Sequence, residues 1–317
     1  MTPRHPCRAA GVATLTVSVT TAAVVALTGC GSAGSGAGGD GPPTVVASTD
    51  VWGSVVRAIA GDTVDVKTII DDPSADPHSY ESTPQDAAEI TRADLVVFNG
   101  GGYDGFIEQI LDSGDPDTPT VEAFALTAEG QERADEGGHS NEDGPNEHVW
   151  YDLETAEAVA RNVARQLSTL APQHEETFTA NTREFNRRID GLVERVSAIE
   201  QQHSGDRIAV TEPVATYLVE ATGLSDVTSP DFVEAVEGET DPPAAAVAET
   251  RRLLADNRVD VLVFNPQAET PVTGQVRSDA EAAGIPVVAM TETLPEGTGY
   301  LDWMSGQVDA LAAALQR

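Results

Sequence analysis

From Thr44 onward the chain alternates between short runs of valine and isoleucine and longer stretches whose apolar residues recur every three or four positions. Residues 45–49 (VVAST), 64–70 (VDVKTII) and 94–100 (DLVVFNG) read as strands, with helices predicted over 51–61 and 84–93. The same grammar returns later: strands over 207–211 (RIAVT), 259–265 (VDVLVFN) and 285–291 (IPVVAMT), helices over 213–223, 241–257, 272–284 and about 300–316. Asp241, followed by two prolines, predicts a capped helix start at that point. Strands alternating with helices imply βαβ units, hence a parallel sheet in each half.

Between the halves the texture changes. After Pro172, residues Phe178, Phe185, Ile189, Leu192, Val196 and Ile199 recur at spacings of 7, 4, 3, 4 and 3. That is one apolar stripe on a helix of about 30 residues, roughly 45 Å long at ~1.5 Å per residue. A coiled-coil seam would need a longer stripe with regular flanking charges, so the helix is expected to lie across both lobes. The predicted fold is α/β: two similar lobes, each a parallel sheet flanked by helices, joined by a long helix. The expected divisions are an N-terminal lobe over 44–152, a helical linker over 153–203 and a C-terminal lobe over 204–317.

The first 43 residues follow different rules. Arg4 and Arg8 precede an uncharged, valine-rich stretch over 11–29, the pattern of a secretory signal peptide over 1–29. It ends Leu27-Thr28-Gly29-Cys30, which resembles the bacterial lipobox, and a glycine- and serine-rich tether fills 30–43. The resemblance implies a lipidated Cys30 and a protein anchored on the extracytoplasmic face of the cell membrane. Cys7 and Cys30 are the only cysteines, so no disulfide framework stabilises the body.

Charge narrows the function. With 52 acids against 18 bases the net charge is −34, and −36 without the signal segment. So negative a surface repels phosphate backbones and excludes nucleic acid as a partner. The simplest role of the excess is a solvated acidic shell. No HExxH, GxSxG or phosphate-binding glycine loop is present, and NGGGYDG (99–105) lacks the context of one.

Histidine carries the candidate chemistry. Beyond the signal segment the chain retains His78, His139, His148, His174 and His203. His174 and His203 fall at the ends of the long helix among polar residues, and His139 in an acidic loop over 129–147. His78 and His148 follow turn-forming residues at predicted lobe edges, where ligand sites of open α/β sheets gather. Taken alone, a histidine so placed is more often a hydrogen-bonded structural residue than a metal ligand.

The motifs around them are specific. DPHSYESTPQDAAEITRADLVVFNGGGYDGFIEQIL (76–111) resembles the signature of ABC-transporter solute-binding proteins for zinc, manganese and iron. EHVWYDL (147–153) resembles that family's second-histidine motif, with Glu147 in place of proline. VTEPVATYLVEATGL (210–224), VLVFNPQAET (261–270) and MTETLPEG (290–297) resemble its second-lobe segments, in the family's order. The resemblance implies a cleft between the lobes in which His78, His148, Glu212 and Glu292 hold a divalent ion. Glu292 stands where the family generally has aspartate, with Glu296 and Asp302 as nearby substitutes.

Two imidazoles and two carboxylates suit Zn2+, with Mn2+ or Fe2+ as alternatives, and the absence of thiolate disfavours Cu(I). The implied role is not enzymatic: a monomeric carrier delivers its ion to an ABC permease and its ATPase. The alternatives are a membrane-anchored zinc-dependent hydrolase using the same residues, or a surface adhesin of the same fold. The acidic loop reads as a disordered insertion in place of a His-rich loop, or as a weak gatherer of cations.

Overall fold

A computed structural model of the protein describes residues 41–73, 80–114, 117–135 and 146–316. The predicted signal peptide, Cys30 and His78 lie outside the described residues.

In the first half β1 (Thr44–Thr49), β2 (Asp65–Ile70), β3 (Leu95–Phe98) and β4 (Thr120–Glu122) form one sheet in the order β2-β1-β3-β4, with every pairing parallel. In the second half β5 (Arg207–Val210), β6 (Ser225–Asp226), β7 (Val261–Phe264) and β8 (Val287–Ala289) repeat that topology as β6-β5-β7-β8. The central strands are apolar on both faces because both faces are covered. Side chains alternate across a strand, and the packing follows. Val45, Ala47, Leu95 and Val97 enter a large inner core, while Val46 and Val96 meet Ile90 and Ile107 on the other side. Those two belong to α2 (Pro84–Thr91) and α3 (Gly105–Ser113).

The second sheet divides likewise. Ile208, Val210, Val261 and Val263 join the same inner core, and Ala209 and Leu262 face an outer cluster. The outer layer is α8 (Pro230–Glu237), α9 (Ala244–Ala255) and α10 (Pro271–Ala283). One core therefore runs through both halves. It is filled by α1 (Asp50–Ala60), α5 (Leu153–Leu170), α6 (Glu175–His203), α7 (Thr216–Ala221) and α11 (Tyr300–Leu315).

The long helix α6 has 29 residues and its predicted stripe, Phe178 to Ile199, is buried throughout. It packs against α1, α5, α7 and α11. Phe185 stacks on Tyr300 of α11 with ring centroids 6.1 Å apart. Arg188 and Arg195 pair with Asp302 and Asp309 on the solvent side of that contact.

Some local expectations fail for physical reasons. The helix expected from Asp241 begins at Ala244, with Pro243 extended at its N-cap. A residue that precedes proline is pushed out of the helical region, so Asp-Pro-Pro stays extended. The stretch 213–223 breaks into a 3-10 turn, Pro213–Ala215, followed by α7. Of the acidic stretch expected as an insertion, the first residues lie in a helix, α4 (Ala128–Asp135), and Asn146 and Glu147 are half-buried. No described helix is long and apolar enough to cross a membrane.

Candidate metal centre

Polar side chains gather at the carboxyl ends of the strands in both sheets, but His148, Glu212 and Glu292 do not bring their ligand atoms within 4.8 Å of one another. After β3, Asn99 begins a tight turn in which Gly100, Gly101 and Gly102 all have positive φ. A Cβ at Gly100 would lie 2.3 Å from the Glu122 carboxylate, so both backbone and space demand glycine there. The buried Asp104 closes the turn by accepting from the Asn99 and Gly100 amides at 2.7 and 2.8 Å. Burial pushes the Asp104 carboxyl up, and those amides oppose the shift. The glycine turn therefore serves to aim Tyr103 inward, where it is 3% exposed.

A second turn presents His148. Asn146 Oδ1 accepts from the backbone amide of His148 at 3.0 Å and faces its Nδ1 at 2.9 Å. Asn146 Nδ2 donates to the carbonyl of Pro213, and Tyr217 donates to the Asn146 carbonyl, so this turn is tied to the second lobe. Trp150 lies edge-on to the imidazole at 5.2 Å, and the Tyr103 ring at 6.1 Å. His148 is 1% exposed.

The second sheet supplies three polar residues from three adjacent strands. Glu212 follows β5, Asn265 follows β7 and Glu292 follows β8, and all three are buried. The two hydrogens of Asn265 Nδ2 are divided between the carboxylates: Glu212 Oε2 lies at 2.7 Å and Glu292 Oε1 at 2.9 Å. Asn265 Oδ1 accepts from the Gln267 amide, which fixes the orientation. Tyr103 donates to the other oxygen of Glu292 at 3.1 Å. Gln267 accepts from the Glu292 amide and donates to Thr293 and to the Pro73 carbonyl of the first lobe.

This geometry agrees with what the chain resembles. Residues 45–314 match the family model for ZnuA, the periplasmic component A of a zinc-uptake complex. The chain belongs to the ZnuA family. The manganese ABC transporter substrate-binding lipoprotein PsaA of Streptococcus anginosus is 24% identical over 309 residues, covering 93% of this chain and 96% of that protein. The iron ABC transporter substrate-binding lipoprotein MtsA of Streptococcus pyogenes is 28% identical over 174 residues, 53% of this chain and 55% of that protein. The fold matches the periplasmic zinc-binding protein TroA of Treponema pallidum with a TM-score of 0.71 at 20% identity, over 87% of this chain and 100% of that one.

Members of the ZnuA family are solute-binding components of metal ABC transporters, so the carrier expectation holds and the hydrolase and adhesin alternatives do not. Of the residues expected to hold the ion, His148, Glu212 and Glu292 are buried on turns that hydrogen bonds join across the lobes. His78 lies outside the described residues. The substitutes for Glu292 are elsewhere: Glu296 is exposed, and Asp302 faces solvent beside Arg188.

Sequence reasoning missed Asn265, Tyr103 and Glu237. Asn265 and Tyr103 sit inside quoted motifs, and their place just after a β-strand was the available signal. Glu237, at the end of α8, brings Oε1 to 3.8 Å from Nε2 of His148.

Proposed function

We propose that the chain captures a divalent transition-metal ion between its lobes and hands it to an ABC permease driven by its ATPase. In this reading His148, Glu212 and Glu292 are ligands together with His78, and the ion is Zn2+, with Mn2+ and Fe2+ as the alternatives. The carrying observation is the placement of Glu212 and Glu292 on one amide, that of Asn265. Two carboxylates drawn together in a dry site repel one another, and a divalent cation relieves that repulsion better than an amide does. Nitrogen and carboxylate donors without thiolate suit these ions. The names of the manganese, iron and zinc relatives support the cargo class and leave the choice among the three to experiment.

The relatives named as lipoproteins support an extracytoplasmic location. We assign the anchor to Cys30, lipidated after removal of residues 1–29, with the glycine-rich 30–43 as tether and the body acting as a monomer. Replacing Cys30 with alanine releases the protein from the membrane fraction in this reading.

The test is a thermal melt of chelator-stripped protein with and without Zn2+, Mn2+ and Fe2+. A ligand present at 100 times its Kd stabilises by about 2.7 kcal/mol, a shift of several degrees. His148→Ala and Glu212→Ala abolish the shift. Absence of a shift with every ion refutes metal capture, and a retained shift in both variants refutes the ligand assignment.

A further inference from the structure

Glu237 has no part in the ligand set above, yet it faces that set's histidine. It is the last residue of α8, in the second lobe, and its Oε1 lies 3.8 Å from Nε2 of His148. Glu147, His148 and Glu237 together offer ligand atoms that all lie within 4.8 Å of one another, the one such trio among the described residues. The trio is graded by depth, with the His148 side chain 1% exposed and that of Glu237 24%.

The tautomer of His148 follows from its neighbours. Asn146 Oδ1 already accepts from the His148 backbone amide, and its Nδ2 is committed to the Pro213 carbonyl. The atom facing Nδ1 at 2.9 Å is therefore an acceptor, and Nδ1 carries the hydrogen. An imidazole so held turns Nε2 to the side of Glu237. A cation between Nε2 and the Glu237 carboxylate would take both as ligand atoms. Two donors each ~2.1 Å from one ion lie about 3.0 Å apart at octahedral angles and about 3.4 Å at tetrahedral ones. The observed 3.8 Å closes to the tetrahedral value with a side-chain shift of about 0.4 Å and to the octahedral value with about 0.8 Å.

The helix end strengthens the case. The carbonyl end of a helix carries partial negative charge and favours cations over carboxylates. Glu237 is the last residue of α8, so a cation bound beside it would also sit at the helix end that favours positive charge.

We propose that Glu237 is a direct ligand of the ion held by His148, an extra oxygen donor supplied by α8 that biases the site toward ions of higher coordination number. This rests on the metal-capture reading above. Zinc is satisfied by four ligands, whereas manganese takes six and prefers oxygen. Removing Glu237 therefore penalises Mn2+ more than Zn2+, and that difference separates a ligand from a residue that only supports the fold.

The experiment is titration calorimetry of Zn2+ and Mn2+ into the full-length chain and its Glu237→Gln and Glu237→Asp variants, after chelator treatment, with a melting curve of each metal-free protein. The expected result is a loss of tenfold or more in Mn2+ affinity for Glu237→Gln, less than threefold in Zn2+ affinity, an intermediate Mn2+ loss for Glu237→Asp, and unchanged metal-free melting. Unchanged Mn2+ affinity in that variant overturns the proposal and leaves the carrier reading intact. Equal losses for both ions together with a lower metal-free melting point also overturn it, in favour of a structural role. A wild-type chain that binds neither ion refutes the carrier reading itself.

Discussion

Tyr103 and Glu292 meet across the two lobes, the phenol donating to Oε2 of the carboxylate over 3.1 Å between residues 189 positions apart. The phenol holds that carboxylate in one rotamer before any ion arrives. Immobilising such a side chain at binding costs about 1 kcal/mol, so Tyr103→Phe should weaken metal binding about fivefold while leaving the melting temperature of the stripped protein within a degree or two. Calorimetric titration of the variant decides it, and an unchanged Kd means the hydroxyl does not position Glu292.

Asn265 has a larger structural part because it supplies hydrogen-bond donors to two buried carboxylates at once. Leaving charged groups short of a buried donor costs about 2–3 kcal/mol. In a body of this size that corresponds to roughly 5–10 °C. Asn265→Ala should show this loss in chelator, measured as a melting curve. A loss below 1 °C would mean that water replaces the amide without penalty.

Asp50 gives a pH signature away from the metal residues. Desolvation raises its carboxyl to about 6, against the opposing hydrogen bond from the Leu294 amide. An acid whose folded-state pKa is raised binds its proton more tightly folded than unfolded. Its contribution therefore turns unfavourable as pH rises from about 4 to about 6 and stays so above. Asp50→Asn keeps an acceptor for Leu294 and removes the buried charge. The variant should melt higher than the parent at pH 7.5, and the difference should vanish near pH 4. Equal melting across that range would contradict the shift.

The contact between α6 and α11 contains two kinds of interaction of unequal weight. Phe185 is 2% exposed and stacked on Tyr300, and truncating a core phenylalanine costs about 3–5 kcal/mol. The Arg195–Asp309 pair is surface-exposed on both sides, and such pairs contribute about 0–1 kcal/mol. Denaturant titration of Phe185→Ala and Arg195→Ala should therefore differ by several-fold in ΔΔG. Similar losses would assign the strut's hold to charge rather than packing.

The fold was largely legible because its elements announce themselves locally. VVAST, DLVVFNG and VDVLVFN are apolar runs too short for helices, and the Phe178–Ile199 stripe has one period only. Strands β4 and β6 escaped because three and two residues at a sheet edge carry almost no pattern. For the site, motif likeness alone points to His148, Glu212 and Glu292. Glu237 stayed hidden among 52 acidic residues, since nothing local separates a ligand carboxylate from a solvated one. Only the approach of α8 to the His148 turn distinguishes it.

The shared core beneath both sheets has a thermodynamic consequence. Repeated halves with separate cores would unfold as separate calorimetric units. Here Val45 and Ala47 of one sheet, Val261 and Val263 of the other, and the whole buried stripe of α6 belong to one apolar cluster. Heating should thus yield a single endotherm whose van't Hoff and calorimetric enthalpies coincide. Losing one sheet would take the other with it.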